Sequence, residues 1–202
     1  MKFILASASP RRKELLTQIG MNFTVQVSEA EESADTTDPA EYVMQLSFLK
    51  AEDVAGKIPV MYDAPGIDQD FVVIGSDTVV AAEGEIMGKP VDDEDAARML
   101  RKLAGNTHQV YTGVTLFCFR NGRLERNTFY EKTDVTMYDM TEEDIKDYVS
   151  SGECRDKAGS YAIQGLCAAY IKSIQGEYAS VVGLPVARIC YELKKMGIRW
   201  RE

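Results

Sequence analysis

The chain has 202 residues, of which 45% are hydrophobic and 27% charged, and its formal net charge is −9. This composition is ordinary for a soluble globular protein that can bury a sizeable core. The negative charge argues against non-specific binding to nucleic acids or acidic membranes, because such binding draws most of its free energy from cationic surface. Four cysteines without zinc-binding spacing and a single histidine predict reduced thiols in a cytoplasmic protein. No stretch approaches the length of a transmembrane helix.

The first residues predict a strand, Lys2–Ala6, that leads directly into a helix. Ser9 is a typical helix N-cap and Pro10 suits the first helical position. A helix start presents unpaired backbone N–H groups, which attract anions such as phosphate. Hydroxyl and cationic side chains crowd the same turn: Ser7, Ser9, Arg11, Arg12 and Lys13. The pattern indicates either a phosphate site or a capped helix with a solvated basic face.

A second helix is predicted from Pro39 to about Ala55, and Lys50 falls within its apolar stripe. The stem of such a lysine often snorkels to the rim of the apolar face. The alternative is an ammonium group delivered into a cleft. The preceding loop is acidic and includes Glu31 and Glu32, so it could hold a divalent metal beside a bound phosphate. It could equally be an unrelated surface patch.

The segment Phe71–Val80 has the composition of a buried strand, yet it carries Asp77 near its middle. Burying a carboxylate is costly unless a cation, a metal or several hydrogen bonds compensate. We therefore expect Asp77 to lie at a break in the strand and to act as a general base or metal ligand. The alternative is an aspartate that caps its own turn through Ser76 or Thr78.

The rest of the chain alternates between strands and helices. Lys89 lies between Gly88 and Pro90, which restrict the backbone, so its position should be well defined. Further elements are predicted in chain order: a loop over 57–70, a hairpin turning at Glu83-Gly84, a helix from Asp92 or Asp93 to Leu103, strands over 107–120 and 123–139 joined at Asn121-Gly122, a helix from Thr141 to Val149, strands over 170–174 and 178–182, and a helix from Pro185. His108 is expected to be structural.

The glycine-rich stretch Asp156–Gly165 shows no periodicity, and small residues there would let the backbone approach a ligand. Within it, Gln164 offers both a donor and an acceptor, as recognition of a nucleobase requires.

Six motifs in this order resemble the Maf family of nucleoside triphosphate pyrophosphatases, first described as septum formation inhibitors. They are Ser7-x-Ser9-Pro10-Arg11-Arg12, Gly75-Ser76-Asp77-Thr78, Gly88-Lys89-Pro90, Thr107-His108-x-Val110-Tyr111-Thr112-Gly113-Val114, Asp156-Lys157-Ala158-Gly159-x-Tyr161-x-Ile163-Gln164-Gly165 and Val182-Gly183-Leu184-Pro185. The resemblance implies an α/β fold similar to that of inosine triphosphatase, in which a mixed twisted sheet with flanking helices forms two lobes around a central cleft. It also implies one domain over residues 1–202.

Within that family the motifs resemble the dTTP/UTP pyrophosphatase branch. The resemblance therefore implies a metal-dependent hydrolase that releases the monophosphate and pyrophosphate, and a homodimer. Two alternatives are the same reaction on 7-methyl-GTP or other non-standard purine triphosphates, and a nucleotide-binding regulator of cell division that does not turn its ligand over.

The resemblance also implies roles for individual residues. Catalysis would fall to Asp77, Glu32 and Lys89, and a Mg²⁺ or Mn²⁺ ion would be bound by Glu32 and Asp77. Because Glu31 and Glu32 are adjacent, the choice between them stays open. The substrate would be bound by Ser7, Ser9, Arg11, Arg12, Lys50 and Gln164.

Overall fold

One mixed sheet contains all the strands of the computed structural model, which describes residues 1–59 and 70–201. The strands are β1 (Lys2–Leu5), β2 (Thr24–Val25), β3 (Phe71–Ala82), β4 (Glu85–Met87), β5 (Thr107–Arg120), β6 (Arg123–Met137) and β7 (Ile171–Gln175). Their order is β2-β1-β3-β5-β6-β7, and β4 pairs with β3. The pairings of β1 with β2 and β3 are parallel, whereas the other pairings are antiparallel.

Helices flank this sheet, which confirms the expected α/β class. They are α1 (Pro10–Gln18), α2 (Pro39–Gly56), α3 (Asp93–Leu103), α4 (Glu142–Ser150), α5 (Tyr178–Val182) and α6 (Val186–Lys195), with two short 3-10 helices at Ala158–Ser160 and Leu166–Tyr170. Side chains cap the first four helices at their N-termini: Ser9, Asp38, Asp92 and Thr141. Most of the predicted loop over 57–70 lies outside the described residues. A single domain over 1–202 stays a prediction.

The apolar core lies on both faces of the sheet because alternate strand residues point to opposite sides. Val72 and Ile74 of β3 belong to the larger cluster, which also contains apolar residues of α1, α3, α4 and α6. Phe71 and Val73 belong to a smaller cluster with Ala51 of α2. Helix α2 therefore covers the face of the sheet that carries Phe71 and Val73.

Two glycines allow α2 to approach the sheet closely. A Cβ atom on Gly75 of β3 would lie 2.3 Å from the Ser47 carbonyl oxygen, and one on Gly113 of β5 would lie 2.2 Å from that of Val43. Any side chain at either position would push the helix away. This contact fixes the part of α2 that precedes Lys50.

The prediction that Asp77 lies at a break in its strand is wrong. β3 runs without interruption from Phe71 to Ala82, and Asp77 is paired with Gly113 of β5. The interruption lies in the neighbouring strands instead. On its other edge β3 pairs with β1 only over 71–74 and with β4 only over 80–82, so among the described strands residues 75–79 have no partner there.

The predicted strand over 178–182 is also wrong, because these residues form helix α5. The run Tyr178-Ala-Ser-Val-Val182 is too short for its apolar pattern to distinguish a strand from a helix. Tertiary contacts decide the outcome: the Ser180 hydroxyl is hydrogen-bonded to Thr133 of β6, 2.8 Å away, and donates to the Glu177 carbonyl. Gly183, with φ of 125°, then ends the helix.

Candidate active site

A cleft of about 550 Å³ opens beside the unpaired stretch of β3. Its walls come from the turn between β1 and α1, from one face of α2, from Gly88-Lys89 and from the irregular segment 156–164. All the candidate residues from the sequence line it: Ser7, Ser9, Arg11, Arg12, Glu32, Lys50, Asp77, Lys89 and Gln164. The structure therefore brings together side chains that are up to 157 positions apart, from Ser7 to Gln164.

The turn between β1 and α1 is stabilised by its own hydroxyl groups. The Ser9 hydroxyl oxygen accepts a hydrogen bond from the Arg12 backbone N–H at 3.5 Å, as an N-cap does. The Ser7 hydroxyl oxygen accepts one from the Ser9 backbone N–H at 3.2 Å. Both serines thus shape the helix start that faces the cleft.

Arg12 lies beneath this turn and connects three elements. Its Nε donates to the Gly183 carbonyl oxygen at 2.8 Å, its Nη1 to the Ser7 hydroxyl at 3.1 Å and its Nη2 to the Thr78 hydroxyl at 3.3 Å. Burial lowers the pKa of Arg12, and the nearby charge of Asp77 opposes that shift. Among the described residues these bonds use three of the five guanidinium N–H groups.

Arg11 lies closer to solvent and spans the cleft. Its Nη1 is 3.2 Å from the Asp156 carboxylate and its Nη2 is 3.4 Å from the Asp156 carbonyl oxygen. Lys157 contacts the same carboxylate. One aspartate therefore holds two cations at the mouth of the cleft, where an anionic ligand would compete with it for them.

Lys50 extends from α2 between two carboxylates. Its Nζ is 2.7 Å from Asp77 Oδ1 and 3.0 Å from Glu32 Oε2. The Lys50 and Asp77 side chains are each 11% exposed, whereas that of Glu32 is 59% exposed. Of the two adjacent glutamates, Glu32 is the one that lines the cleft. The ammonium group offsets the repulsion between two carboxylates that converge on the same point.

The donor set around Lys50 is suited to a hard divalent cation that shares its coordination with a substrate. Within residues 1–59 and 70–201 no three His, Cys, Asp or Glu side chains form a cluster that could hold a metal ion. Glu32 and Asp77 supply two carboxylates. Mg²⁺ is often bound in this way, through one or two carboxylates with water and substrate phosphates completing the shell.

Gln164 and Lys89 also line the cleft, and both residues are exposed. The Gly159 backbone N–H donates to the Gly88 carbonyl oxygen at 3.0 Å, which joins the turn of Lys89 to the irregular segment that carries Gln164. The glycine-rich stretch therefore forms part of the cleft wall, and its approach to a ligand stays a prediction.

Sequence reasoning missed Tyr42, although a signal was present. Tyr42, Leu46 and Lys50 are spaced by four residues, so they share one face of α2, and all three line the cleft. Burial, together with the charges of Asp77 and Glu32, raises the pKa of the Tyr42 phenol. The bond between Thr78 and Arg12 had no signal in the sequence.

His108 is structural, as predicted. It is fully buried and its Nε2 is hydrogen-bonded to the Tyr161 hydroxyl at 2.8 Å. The four cysteines are free. Among the described residues, no helix has both the length and the apolar character that spanning a bilayer requires.

A mixed α/β sheet with a cleft that combines several cations, two converging carboxylates and a helix N-terminus is typical of enzymes that act on polyphosphate substrates. The comparison with known families agrees with this class. The family model described as "Maf-like protein" matches residues 2–196, and the chain therefore belongs to the Maf family.

Curated relatives match over almost the full length. A protein of Agathobacter rectalis named dTTP/UTP pyrophosphatase is 54% identical over 202 residues, covering 98% of each chain. Proteins with the same name from Lachnoclostridium phytofermentans and Bacillus cereus are 48% and 46% identical over 198 residues, covering 98% of this chain and 96% of theirs.

Proposed function

We propose that this protein is a nucleoside triphosphate pyrophosphatase that hydrolyses dTTP and UTP to the monophosphate and pyrophosphate. The observation that carries the proposal is the contact of Lys50 with both Asp77 and Glu32 in a cleft that also contains Arg11, Arg12 and Lys89. The names of the relatives support the substrate pair.

The cations bind the triphosphate. Arg11 and Lys89 both line the cleft and provide positive charge for the three phosphate groups. Arg12 holds the helix start in place through its three hydrogen bonds and adds its charge from below. Ser7 and Ser9 shape the turn whose N–H groups face the phosphates.

Asp77 is the general base. The oxygen of a water molecule bonds to the α-phosphorus, the bond from that phosphorus to the α–β bridging oxygen breaks, and pyrophosphate leaves. The Asp77 carboxylate accepts the proton of the water, and Lys50 holds this carboxylate at 2.7 Å. Negative charge that develops on the phosphate oxygens is stabilised by Arg11 and Lys89.

Glu32 and Asp77 would hold the divalent cation, either Mg²⁺ or Mn²⁺. Such a cation supplies charge neutralisation on the phosphate oxygens when it is bound. Lys50 lies between these carboxylates, so it must share them with the cation or move away from one of them. Glu32 is the more exposed and is the partner that can move.

Gln164 selects the base. Its amide offers an acceptor and a donor, which complement the N3–H and O4 groups shared by uracil and thymine. A base that presents the opposite pattern can be paired only if the Gln164 amide turns over. While the amide keeps one orientation, polar groups of that base stay unpaired, and the base is penalised for that reason. Cytosine presents such a pattern, so CTP is the most informative competitor.

Pyrophosphate release from a panel of triphosphates tests the proposal. The panel contains dTTP, UTP, CTP, GTP, ITP and 7-methyl-GTP, each with Mg²⁺ or Mn²⁺, and we expect turnover of dTTP and UTP. If no triphosphate is turned over, the protein is not this enzyme. If turnover is confined to purines, the pyrimidine preference is wrong.

Two variants assign the roles. Asp77→Asn keeps the shape of the side chain but cannot accept the proton, so we expect kcat to fall by a factor of at least about 100. Asp134→Asn is the matched control, because Asp134 is also a strand aspartate and forms an ion pair with Lys132 outside the cleft lining. Undiminished activity of Asp77→Asn would assign the base to another residue.

The base contact is tested separately with Gln164→Ala. We expect its preference for UTP over CTP to fall by more than its overall rate. Gln175→Ala, an exposed glutamine of β7, is the control. Equal losses on every nucleotide would place Gln164 with the phosphates. The homodimer and the cytoplasmic location stay predictions.

A further inference from the structure

The segment that carries Gln164 belongs to no strand or α-helix. Residues 157–164 contain the 3-10 helix Ala158–Ser160, then Tyr161 in an extended conformation, and then a turn over Ile163-Gln164. The Gly165 backbone N–H closes this turn by donating to the Ala162 carbonyl oxygen at 3.1 Å.

A backbone hydrogen bond connects this segment to the rest of the fold at Gly159, which lies five residues before Gln164. The Gly159 N–H donates to the Gly88 carbonyl oxygen. The placement of the turn that carries Gln164 therefore depends on the contacts at its two ends. After the turn, the Leu166 backbone N–H donates to the Glu153 carboxylate at 3.0 Å, and before it other contacts hold Tyr161 and Ala162.

Buried tyrosine hydroxyls supply those contacts from behind the wall. Tyr148 of α4 is 4% exposed, and its hydroxyl oxygen accepts a hydrogen bond from the Ala162 backbone N–H at 3.0 Å. Tyr161 is 5% exposed and its hydroxyl is hydrogen-bonded to Nε2 of His108 at 2.8 Å. The two rings of this second pair pack edge to face with centroids 5.3 Å apart.

These contacts reach two different elements of the rigid part of the fold. Tyr148 belongs to α4, and His108 belongs to β5, which pairs along its whole length with β6. They meet the chain at Tyr161 and Ala162, three and two residues before Gln164. A side chain on a short turn can be aimed only as well as the backbone that leads into the turn is held.

We propose that Tyr148 and the Tyr161–His108 pair are positioning residues that set the base selectivity of Gln164. The inference depends on the proposed function, because it assumes that Gln164 contacts the base. Neither hydroxyl needs to touch the substrate: each holds the backbone from which Gln164 projects. Without them the Gln164 amide samples several positions and loses its discrimination between donor and acceptor patterns on the base.

Tyr148→Phe is the main test, because it removes the hydroxyl and keeps the ring. We expect the ratio of kcat/KM for UTP to that for CTP to fall by about tenfold, with KM for UTP changing more than kcat. Tyr170→Phe is the matched control. The Tyr170 hydroxyl also belongs to a short hydrogen bond, 2.8 Å from Asp144 at the start of α4, but it does not contact Tyr161 or Ala162.

A double variant separates positioning from a general loss of stability. If Tyr148 acts through Gln164, then Tyr148→Phe added to Gln164→Ala changes the UTP-to-CTP ratio no further. If the two losses multiply instead, Tyr148 does not act through Gln164 and the inference is overturned. Tyr161→Phe gives an independent second variant with the same expected result if Tyr148→Phe does not fold.

The results also distinguish this inference from the proposed function. If Gln164→Ala abolishes the preference while Tyr148→Phe and Tyr161→Phe behave like Tyr170→Phe, the positioning role is wrong and the proposed function stands. If the unaltered protein does not prefer UTP, or Gln164→Ala keeps the preference, the assumed base contact is wrong and the inference fails with it.

Discussion

The single histidine predicts how stability depends on pH. Burial lowers the pKa of His108 from its ordinary value of 6.5 to about 4. Between these values the unfolded chain binds a proton that the folded protein does not bind. Stability should therefore be complete above about pH 6.5, decrease as the pH falls, and stop changing for this reason below about pH 4.

The size of the effect follows from the shift. One pKa unit corresponds to about 1.4 kcal/mol, so the full shift of His108 amounts to about 3 kcal/mol of unfolding free energy. At pH 5 only part of the interval between the two pKa values has been crossed. The free energy of unfolding is then about 2 kcal/mol lower than at pH 7. This loss is a large fraction of the 5–15 kcal/mol that is typical of a folded domain, roughly an eighth to two fifths.

Urea unfolding followed by circular dichroism measures this loss between about pH 7 and pH 5. His108→Gln is the comparison, because glutamine can still bond the Tyr161 hydroxyl but does not titrate. Burial raises the pKa of Glu177, which makes the folded protein more stable as the pH falls. This effect is the same in the unaltered protein and in His108→Gln, so it cancels in the comparison. We expect the unaltered protein to lose about 2 kcal/mol more than His108→Gln. Parallel curves would refute the reasoning.

Two further predictions concern the packing of α2 and the mouth of the cleft. Gly113→Ala places a Cβ atom 2.2 Å from the Val43 carbonyl oxygen, so we expect about 1–3 kcal/mol lower stability in urea unfolding. An unchanged midpoint would mean that the helix moves away freely. Asp156→Asn releases Arg11 from its ion pair, and we expect the inhibition constant of inorganic pyrophosphate to fall by about two- to fivefold, as suits an exposed pair. A constant that rises would show that Asp156 helps to bind phosphate.

Residues that break a local pattern were the predictable part of the site. Lys50 interrupts an apolar helix stripe and Asp77 interrupts an apolar strand, so each is anomalous from its immediate neighbours alone. The structure pairs these two anomalies with each other at 2.7 Å. Each buried charge compensates part of the desolvation of the other. Both could be found without knowledge of the fold because each stands out among its own neighbours.

Contacts between distant residues were not predictable in the same way. Arg12 bonds to Thr78 and Gly183, which are 66 and 171 positions away, and nothing in its own motif indicates these partners. The hydroxyl of Tyr148 meets the backbone of Ala162 for reasons that only the packing of α4 supplies. The strand prediction for Tyr178–Val182 was wrong for a related reason. The segment is too short for its own sequence to determine its conformation, and contacts of Ser180 with β6 determine it instead.

The continuous strand β3 changes the explanation for Asp77. A break would have exposed the carboxylate at the cost of a flexible backbone, whereas the gap between β1 and β4 exposes one edge while β5 holds the other. On the face of the sheet, Gly75 lets α2 come close enough for Lys50 to reach the carboxylate. A carboxylate on a paired strand keeps its position when substrate binds. A general base that activates water needs such a fixed position. The gap in the sheet therefore gives access to the cleft, while β5 keeps the proposed base Asp77 in a paired strand.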